Sequence, residues 1–504
     1  MNQLLRTKNI DDLISASEDP ERRLKKSLGP WSLTALGIGA VIGSGIFTLT
    51  GTAAAGKVEK INSIFNATIL DLLTQGVHAG SSMGRPGAGP AITLSFILVA
   101  IACCFAALCY AELASMIPIA GSAYTYAYAT LGEVFAWIIG WDLILEYAVS
   151  NMSVAVGFSA YLQDLGDNLF GVHLPPQIAF PLFPAPGQPG GYFNIPALLI
   201  TLLVTLILVR GAKESAGANT TMVLIKIAAI LLFCFGSASA INTANWHPYA
   251  PNGFSGILTG ASIVFFTYIG FDSVSTAAEE CRNPQRDLPV GIITTLVVCT
   301  ILYASVSMVL TGLVRYDKLG TDSPVADALK ALGYNRLRLV VTAGALMGML
   351  SSLLVYQYGQ ARVWFAMSRD RLLPGLFSRV HKRFRTPHIS TWIAGFFVGI
   401  PAGLWDIDTL AELSNIGTLF AFILVCAGCW ILRVRQPELP RGFSVPALPL
   451  VAILGIVVCG AMIYGLGWTN WLRLGVWLVI GLVFYFTYGI RHSTLNEPAK
   501  PARR

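Results

Sequence analysis

Two short stretches of this sequence place glycine and polar residues inside long apolar runs. One is GIGAVIGSGIF at 37–47, and the other is FFTYIGFD at 265–272. Glycine weakens a helix, and non-helical backbone persists at membrane depth only where it is buried in protein or lines a cavity. The two stretches therefore predict two broken helices. Amides at a half-helix N-terminus bind a carboxylate and freed carbonyls accept from an ammonium group, so the pair suits an α-amino acid as ligand.

Glycine in a membrane helix also permits close helix packing, which is the alternative to an unwound site. For Gly37 and Gly39 the two interpretations stay equally open. The GSG at 43–45, taken together with the IGFD that includes Gly270, favours unwound backbone.

Three ionisable residues fall deep within apolar runs, where a charge is costly and commonly functional. Lys226 lies about nine residues into its run, roughly 14 Å deep, and Glu146 follows Glu133 by about 20 Å of helix. Lys226 is expected either to couple protonation to substrate occupancy or to hold its helix in place as a fixed charge. Glu146 suits contact with a cationic substrate, contact with a proton, or a structural hydrogen bond. Asp272 is predicted to cap the second half of its broken helix.

Twelve apolar runs of about 17 to 25 residues must position these groups, and each is long enough for a hydrocarbon core of about 30 Å. Of the 504 residues, 54% are hydrophobic and 12% charged, and the mean hydropathy of +0.63 excludes a soluble domain. The predicted fold is an all-α polytopic membrane protein with twelve transmembrane helices. We number the runs as segments 1 to 12, at 33–56, 90–117, 134–163, 193–209, 217–241, 255–279, 288–313, 339–366, 389–405, 410–432, 447–466 and 471–490.

The interruptions fall in segments 1 and 6, which are five crossings apart and therefore enter the membrane from opposite sides. This arrangement predicts an inverted repeat of five plus five helices with a ligand site at the midplane. The insert after segment 1 is expected to hold a short interfacial helix and to end in a loop at SSMGRPGAG. The predicted units are a tail at 1–31, a first repeat at 32–241 with an insert at about 57–89, a second repeat at 242–432, two additional helices at 433–490 and a tail at 491–504.

Lysine and arginine concentrate in the loops on the side of the two termini, above all in 369–385. The positive-inside rule therefore predicts a multi-pass protein of the cell membrane with both termini in the cytoplasm. The first thirty residues read as a solvated tail and lack the pattern of a signal peptide. The net charge of +7 follows from this loop asymmetry, so no nucleic-acid partner is predicted.

No enzyme, metal site or cofactor is predicted. A nucleophile and base at catalytic spacing are missing from the sequence, and all six histidines fall in loops or tails. Cys426 and Cys429 form a CxxC without a second ligand pair, which favours packing within an apolar helix. A channel is disfavoured because no filter repeat is present.

Several long motifs, taken together and in order, resemble one transporter family. They are GIGAVIGSGIF, CYAELASMIPIAGSAYTYAYATLGEVFAWIIGWDLILEY, FFTYIGFDSVSTAAEECRNPQRDLPVGI, YGQARVWFAMSRDRLLP and ELSNIGTLFAF. From about residue 28 to 490 the chain resembles the bacterial cationic amino acid transporter branch of the amino acid-polyamine-organocation superfamily. The resemblance implies a LeuT-like fold, with broken helices 1 and 6 and two extra C-terminal helices.

The resemblance also implies a substrate site. It places the carboxylate at the backbone of Gly43, Ser44 and Gly45, next to Ile42 in the same unwound stretch. It places the amino group at the carbonyls of Val41, Phe266 and Ile269, with the Phe266 ring as a candidate gate. Tyr356 or Gln357 is expected to face the substrate side chain. Lys226 would take the position of a sodium ion in sodium-coupled relatives and approach the unwound carbonyls of segment 1.

The expected function is a secondary transporter that imports L-amino acids by alternating access with protons as the coupling ion. The alternatives are an amino acid or polyamine exchanger and a transport-inactive sensor of the same fold. Cationic and neutral substrates both remain open. The insert suits either an outer lid or the docking of a small accessory subunit.

Overall fold

The structure is a computed structural model of the 504-residue chain. It describes residues 5–10, 26, 28–60, 82–119, 121–171, 173–184, 190–210, 215–381, 383–384, 386–464, 466 and 468–496. The interfacial helix predicted for the middle of the insert lies outside the described residues.

Each of the twelve apolar segments corresponds to helical structure, because a lipid-facing backbone must satisfy its own hydrogen bonds. Helices of nine and eight residues also lie between segments in the described part of the chain, Ser122–Thr130 before segment 3 and Pro324–Ala331 before segment 8. In order, the helices of segments 1 to 12 are Pro30–Val41 with Gly45–Ala55, Ile92–Met116, Glu133–Phe170, Ile195–Arg210, Ser215–Gly236, Gly253–Val264 with the 3₁₀ helices Phe265–Tyr268 and Phe271–Glu280, Pro284–Leu313, Asn335–Arg369, His388–Leu404, Ile407–Arg435, Leu448–Tyr464 and Trp468–Phe484.

Eight helices of the described residues are long and apolar enough to cross a membrane. The two helices of segment 1 meet the same test together and are bent by 45° at their junction, which makes a ninth candidate. Segments 4, 9 and 11 form shorter apolar helices of 16 or 17 residues. A full crossing needs about 20 residues, so twelve crossings stay a prediction.

A short antiparallel ladder joins the two ends of the insert. Strand β1, Gly56–Lys60, pairs with strand β2, Ser82–Pro86, with Gly56 opposite Pro86 and Lys60 opposite Ser82. The loop predicted at the end of the insert is therefore wrong for β2, and the all-α prediction needs this one small exception in the described part of the chain. Proline is tolerated here because both strands of a two-stranded ladder are edge strands.

The long helix of segment 3, with 38 residues, is the axis against which segments 8 and 10 pack. Segment 2 packs against segment 7, segment 4 against segment 9, and segment 1 against segments 5 and 7. Segment 1 also contacts segments 6 and 8, and the residues of both broken segments at their breaks are buried.

The first and last stretches of the described chain lie at the same face of the bundle, because Arg6 donates a hydrogen bond to the carbonyl of Leu495 at 3.0 Å. We call this side the termini face. The backbone of Leu5–Ile10 is docked there: the Lys8 amide donates to the Tyr128 carbonyl at 3.1 Å, and Ile10 is buried. The prediction of a solvated tail is therefore wrong for Lys8 and Ile10, whereas the side chains of Leu5, Arg6, Thr7 and Asn9 are exposed.

Candidate functional site

The helix of segment 1 breaks at residues 42–44, within the first glycine-rich stretch. The Ile42 amide still bonds to the Ile38 carbonyl, and a new helix begins at Gly45 with Ser44 at its cap. The amide of Phe47 bonds to the Ser44 carbonyl at 2.9 Å, whereas the described residues offer no acceptor to the amides of Ser44, Gly45 and Ile46. The Ser44 hydroxyl is also buried without a hydrogen-bond partner among the described residues. These donors at a helix N-terminus form an anion site.

Neighbouring segments enclose this break closely, which explains the small residues. A Cβ on Gly45 would lie 2.7 Å from the Thr267 side chain and 3.2 Å from the Phe266 ring. A Cβ on Gly43 would lie 3.3 Å from Val154 of segment 3. The glycines thus bring the two broken segments into contact, with Phe266 beside the predicted carboxylate site.

Segment 6 breaks at Ile269 and Gly270, as its IGFD motif predicts. Ile269 is extended, and Gly270 has a φ of 114°, which only glycine adopts without strain. The structure places Gly270, not Asp272, at the cap of the following 3₁₀ helix. Asp272 lies in the first turn, where its carboxylate accepts from the Ser122 hydroxyl at 3.4 Å.

Tyrosine hydroxyls satisfy the carbonyls that these breaks release. The Tyr303 hydroxyl lies 2.9 Å from the Val41 carbonyl and 2.8 Å from the Thr267 carbonyl, and the Tyr356 hydroxyl donates to the Ile269 carbonyl at 2.8 Å. The third predicted ammonium acceptor, the Phe266 carbonyl, accepts from the Ile269 amide. Each carbonyl has two lone pairs, so the Phe266 and Ile269 carbonyls retain capacity for a further donor. The Val41 carbonyl already has two donors in reach, the Tyr303 hydroxyl and the Gly43 amide at 3.0 Å.

Lys226 is fully buried and donates to the segment 1 break. Its Nζ lies 2.8 Å from the carbonyl oxygens of both Gly39 and Ile42. The Ser352 hydroxyl of segment 8 lies 2.8 and 3.1 Å from the same two oxygens. Segments 5 and 8 together therefore hold the unwound backbone in place.

The remaining predicted site residues separate into two groups. Tyr356 faces segment 6, with its ring centroid 6.1 Å from that of Tyr147, whereas Gln357 donates its amide to Thr205 of segment 4 at 2.5 Å. Glu146 is buried near Asp272, and one of its carboxylate oxygens lacks a hydrogen-bond partner among the described residues. Tyr356 thus contacts the segment 6 break, while Gln357 lies toward segment 4.

Two residues that the sequence reasoning missed contribute to the site, Tyr303 and Ser352. Both are polar residues in apolar segments, and both are fully buried. A weak signal was present for Ser352, because it lies four residues before Tyr356 and so shares its helix face. Tyr303 offered no comparable signal.

A cavity of about 260 Å³ opens at the face opposite the termini. Asp164, Asp167, Lys330 and Asp406 are among its lining residues. Arg338 pairs with both Asp164 and Asp167, and Lys330 pairs with Asp167 at 2.9 Å. This cluster joins the end of segment 3 to the start of segment 8 and to the helix before it.

Two broken segments in contact within a bundle of membrane-length helices are the architecture of a secondary transporter. A sequence model of amino acid permeases matches residues 28–484. Among similar proteins are the branched-chain amino acid permease BcaP of Bacillus subtilis (strain 168), 45% identical over 98% of this chain and 99% of its own, and the methylthioribose transporter of the same organism, 43% identical over 99% and 100%. The cationic amino acid transporter 9, chloroplastic, of Arabidopsis thaliana is 36% identical over 82% of this chain and 68% of its own.

The chain therefore belongs to the amino acid permease family of the amino acid-polyamine-organocation superfamily. It is a transporter and not an enzyme.

Proposed function

We propose that this permease imports L-amino acids across the cell membrane by alternating access, with protons as the coupling ion. The observation that carries the proposal is the group of amides at Ser44, Gly45 and Ile46, to which the described residues offer no acceptor and which lies beside the Phe266 ring of the second break. A carboxylate at these amides would sit at the positive end of a helix dipole. Helix-dipole and amide contacts would thus recognise the carboxylate group, which all amino acids share.

The ammonium group would bind at carbonyls of both breaks, so one ligand would join two segments. Val41, Phe266 and Ile269 supply the proposed acceptors, and the Phe266 ring would close over the ligand. Tyr356, whose hydroxyl contacts Ile269, is the better candidate than Gln357 to face the substrate side chain, because the Gln357 amide is engaged by Thr205.

Lys226 is the proposed coupling residue. Its ammonium group donates to two carbonyls of the break that would bind substrate, so a change in its protonation would alter the geometry of the site. Glu146 is a second candidate for proton contact, because a buried carboxylate oxygen without a partner is costly. Asp272, in the first turn after Gly270, would orient the half-helix through its carboxylate.

The packing of equivalent segments supports a five plus five inverted repeat. Segments 2 and 7, and segments 3 and 8, are equivalent positions in such a repeat and pack against each other, as do segments 4 and 9. On this basis we propose a LeuT-like fold with twelve crossings, in which segments 11 and 12 are additional. We also propose that the termini face is cytoplasmic and that the insert serves as an outer lid or docks an accessory subunit.

Two substrate classes follow from the names of the relatives. The branched-chain permease favours an apolar amino acid, and the cationic transporters leave a basic one open. The methylthioribose transporter, at 43% identity, supports a second candidate function, uptake of a methylthio-sugar. That sugar has neither a carboxylate nor an ammonium group, so it would leave the proposed amide site unused.

The test is uptake into proteoliposomes of labelled leucine, valine, lysine, arginine and methylthioribose, with and without an inward proton gradient. Gradient-driven uptake of an amino acid supports the proposal. Uptake that instead requires internal amino acid would support exchange, and the absence of any uptake with substrate binding retained would support a sensor. Uptake of methylthioribose alone would replace the proposal with the second candidate.

A glycine pair tests the site itself. Gly45→Ala places a Cβ 2.7 Å from Thr267, whereas Gly460→Ala in segment 11 places one where no atom lies within 4 Å. We expect Gly45→Ala to abolish uptake and Gly460→Ala to preserve it. Normal uptake by both variants would contradict the assignment of the carboxylate site.

A further inference from the structure

The tail Leu5–Ile10 crosses the termini face as an ordered strap. Its backbone makes two hydrogen bonds to one turn of chain: the Lys8 amide donates to the Tyr128 carbonyl at 3.1 Å, and the Glu133 amide donates to the Arg6 carbonyl at 3.0 Å. Because the strap both donates and accepts a main-chain hydrogen bond here, its position and its chain direction are fixed. The strap is therefore docked onto the connection between helix Ser122–Thr130 and segment 3.

The Lys8 side chain completes this docking. Its Nζ lies 2.6 Å from Asp370 at the end of segment 8 and 4.4 Å from the centroid of the Tyr128 ring. The Tyr124 hydroxyl donates to the other oxygen of Asp370 at 2.6 Å. Both charged side chains are only 15% exposed, so this pair is stronger than a surface ion pair.

Gly132 leaves room for the strap because it has no side chain. Its φ is 109°, and a Cβ on it would lie 2.8 Å from the Leu5 backbone. The end of the chain closes over the same place, because the Thr494 amide donates to the Asp370 carbonyl at 3.3 Å and Arg6 reaches the Leu495 carbonyl. The first and last described stretches of the chain thus both contact Asp370.

The element beneath the strap touches the second break. In helix Ser122–Thr130, Ser122 donates to Asp272. From the same helix Tyr126 packs edge-on against Tyr110, which packs edge-on against Phe271 at 6.0 Å. A movement of this helix would therefore reach the half-helix Phe271–Glu280.

We propose that Leu5–Ile10 is a latch that holds the termini face of the transport path closed. Lys8 locks helix Ser122–Thr130 to the end of segment 8, and the locked helix supports Phe271–Glu280. Release of Lys8 from Asp370 would let both helices move away and open the path at this face. The inference rests on the alternating access proposed above.

The latch acts beside a second contact on the same face. Arg362 of segment 8 pairs with Glu280 at the end of segment 6 at 2.8 Å. That pair and the hydrogen bond from Tyr124 to Asp370 both remain when Lys8 is changed. We therefore expect loss of the latch to raise the open population rather than to lock the path open.

The test is hydrogen exchange measured by mass spectrometry on the full-length protein in lipid nanodiscs. The variants are Lys8→Ala, Asp370→Asn and the double variant, with Arg379→Ala as an exposed inner-loop cation for control. We expect exchange in 122–130 and 271–280 to become at least about fivefold faster, with 253–264 unchanged. The double variant should match the single variants, because all three remove one interaction.

Asp370→Asn keeps an acceptor for Tyr124, so it gives an informative result if Lys8→Ala folds poorly. Faster exchange in 122–130 and 271–280 and unchanged 253–264 would establish the latch. Uniformly faster exchange in all three regions would mean lost global stability and would overturn it. Unchanged exchange at 271–280 with rapid exchange at the amide of residue 8 would show that release of the strap does not open the path, which also overturns it.

Uptake is measured on the same preparations. Hydrogen exchange reports opening whether or not the protein transports amino acids. A failure of the proposed function would thus appear in the uptake data alone, and a failure of the latch in the exchange data alone.

Discussion

A single hydroxyl joins the two breaks, and its removal gives the sharpest test of the site. The Tyr303 hydroxyl lies within hydrogen-bond distance of the Val41 and Thr267 carbonyls, at 2.9 and 2.8 Å. A hydroxyl has one proton and donates to one carbonyl at a time. Tyr303→Phe removes this donor and keeps the ring that packs 5.2 Å from Tyr268.

The expected magnitude follows from the donors that remain. The Val41 carbonyl keeps the Gly43 amide at 3.0 Å, whereas the described residues offer no second donor to the Thr267 carbonyl. A buried carbonyl left unpaired costs about 1–3 kcal/mol. If the bridge forms in the substrate-bound state, the population of that state falls by about 5- to 150-fold.

The assay is the initial rate of amino acid uptake into proteoliposomes, with Tyr268→Phe as the matched control. Tyr268 is equally buried, and its hydroxyl donates at 3.0 Å to the Phe96 carbonyl. Phe96 lies inside helix Ile92–Met116, where its carbonyl also has a helical partner. We expect at least a fivefold loss for Tyr303→Phe and less than twofold for Tyr268→Phe. Equal rates for both variants would refute the bridge.

Three further predictions test other parts of the structure. Lys226→Met removes two hydrogen bonds to the segment 1 break, so uptake should lose its response to a proton gradient. Ser352→Ala leaves Lys226 in place and should retain that response. A gradient response in Lys226→Met would contradict the coupling role of Lys226. Gly270→Ala introduces a Cβ at a φ of 114° and 3.0 Å from the Tyr356 hydroxyl, which should cost roughly 1–3 kcal/mol in stability, whereas Gly475→Ala, with no atom within 4 Å, should leave the melting temperature unchanged. Arg338→Ala leaves the buried Asp164 carboxylate with only the Thr342 hydroxyl, at 3.0 Å, as a partner among the described residues, and should lower the free energy of unfolding by about 3–5 kcal/mol. Lys330→Ala is the control: its side chain is 54% exposed, so the loss should be under about 1 kcal/mol. Similar losses in thermal unfolding for both variants would show that burial does not set the strength of this cluster.

The sequence was informative about where the backbone leaves the helix. Both breaks fall within the predicted stretches. Glycine weakens a helix at the position where it occurs, so the site of a break can be recognised from the local sequence. It was less informative about side-chain direction. Tyr356 and Gln357 were equal candidates by position, yet adjacent helical residues point about 100° apart, and only packing against segments 4 and 6 decides which one meets the break.

The structure of short polar stretches was also poorly predicted from the sequence. Leu5–Ile10 reads as solvated from its composition, and its docking depends on a groove made by residues more than a hundred positions away, including Gly132 and Asp370. The β2 strand likewise forms only because β1 pairs with it. Such pairings are long-range, so a local pattern carries little sign of them.

The same reasoning explains why half of the site was hidden. A glycine-rich break reveals that carbonyls and amides are freed, but a freed group at membrane depth needs a partner. Here the carbonyl partners come from three different segments: Lys226 from segment 5, Tyr303 from segment 7, and Ser352 and Tyr356 from segment 8. The amides of Ser44, Gly45 and Ile46 are the exception, because the described residues supply no acceptor for them. The freed carbonyls therefore have donors, whereas the freed amides still need an acceptor such as an anion. This asymmetry is the strongest physical argument that a substrate carboxylate completes the break.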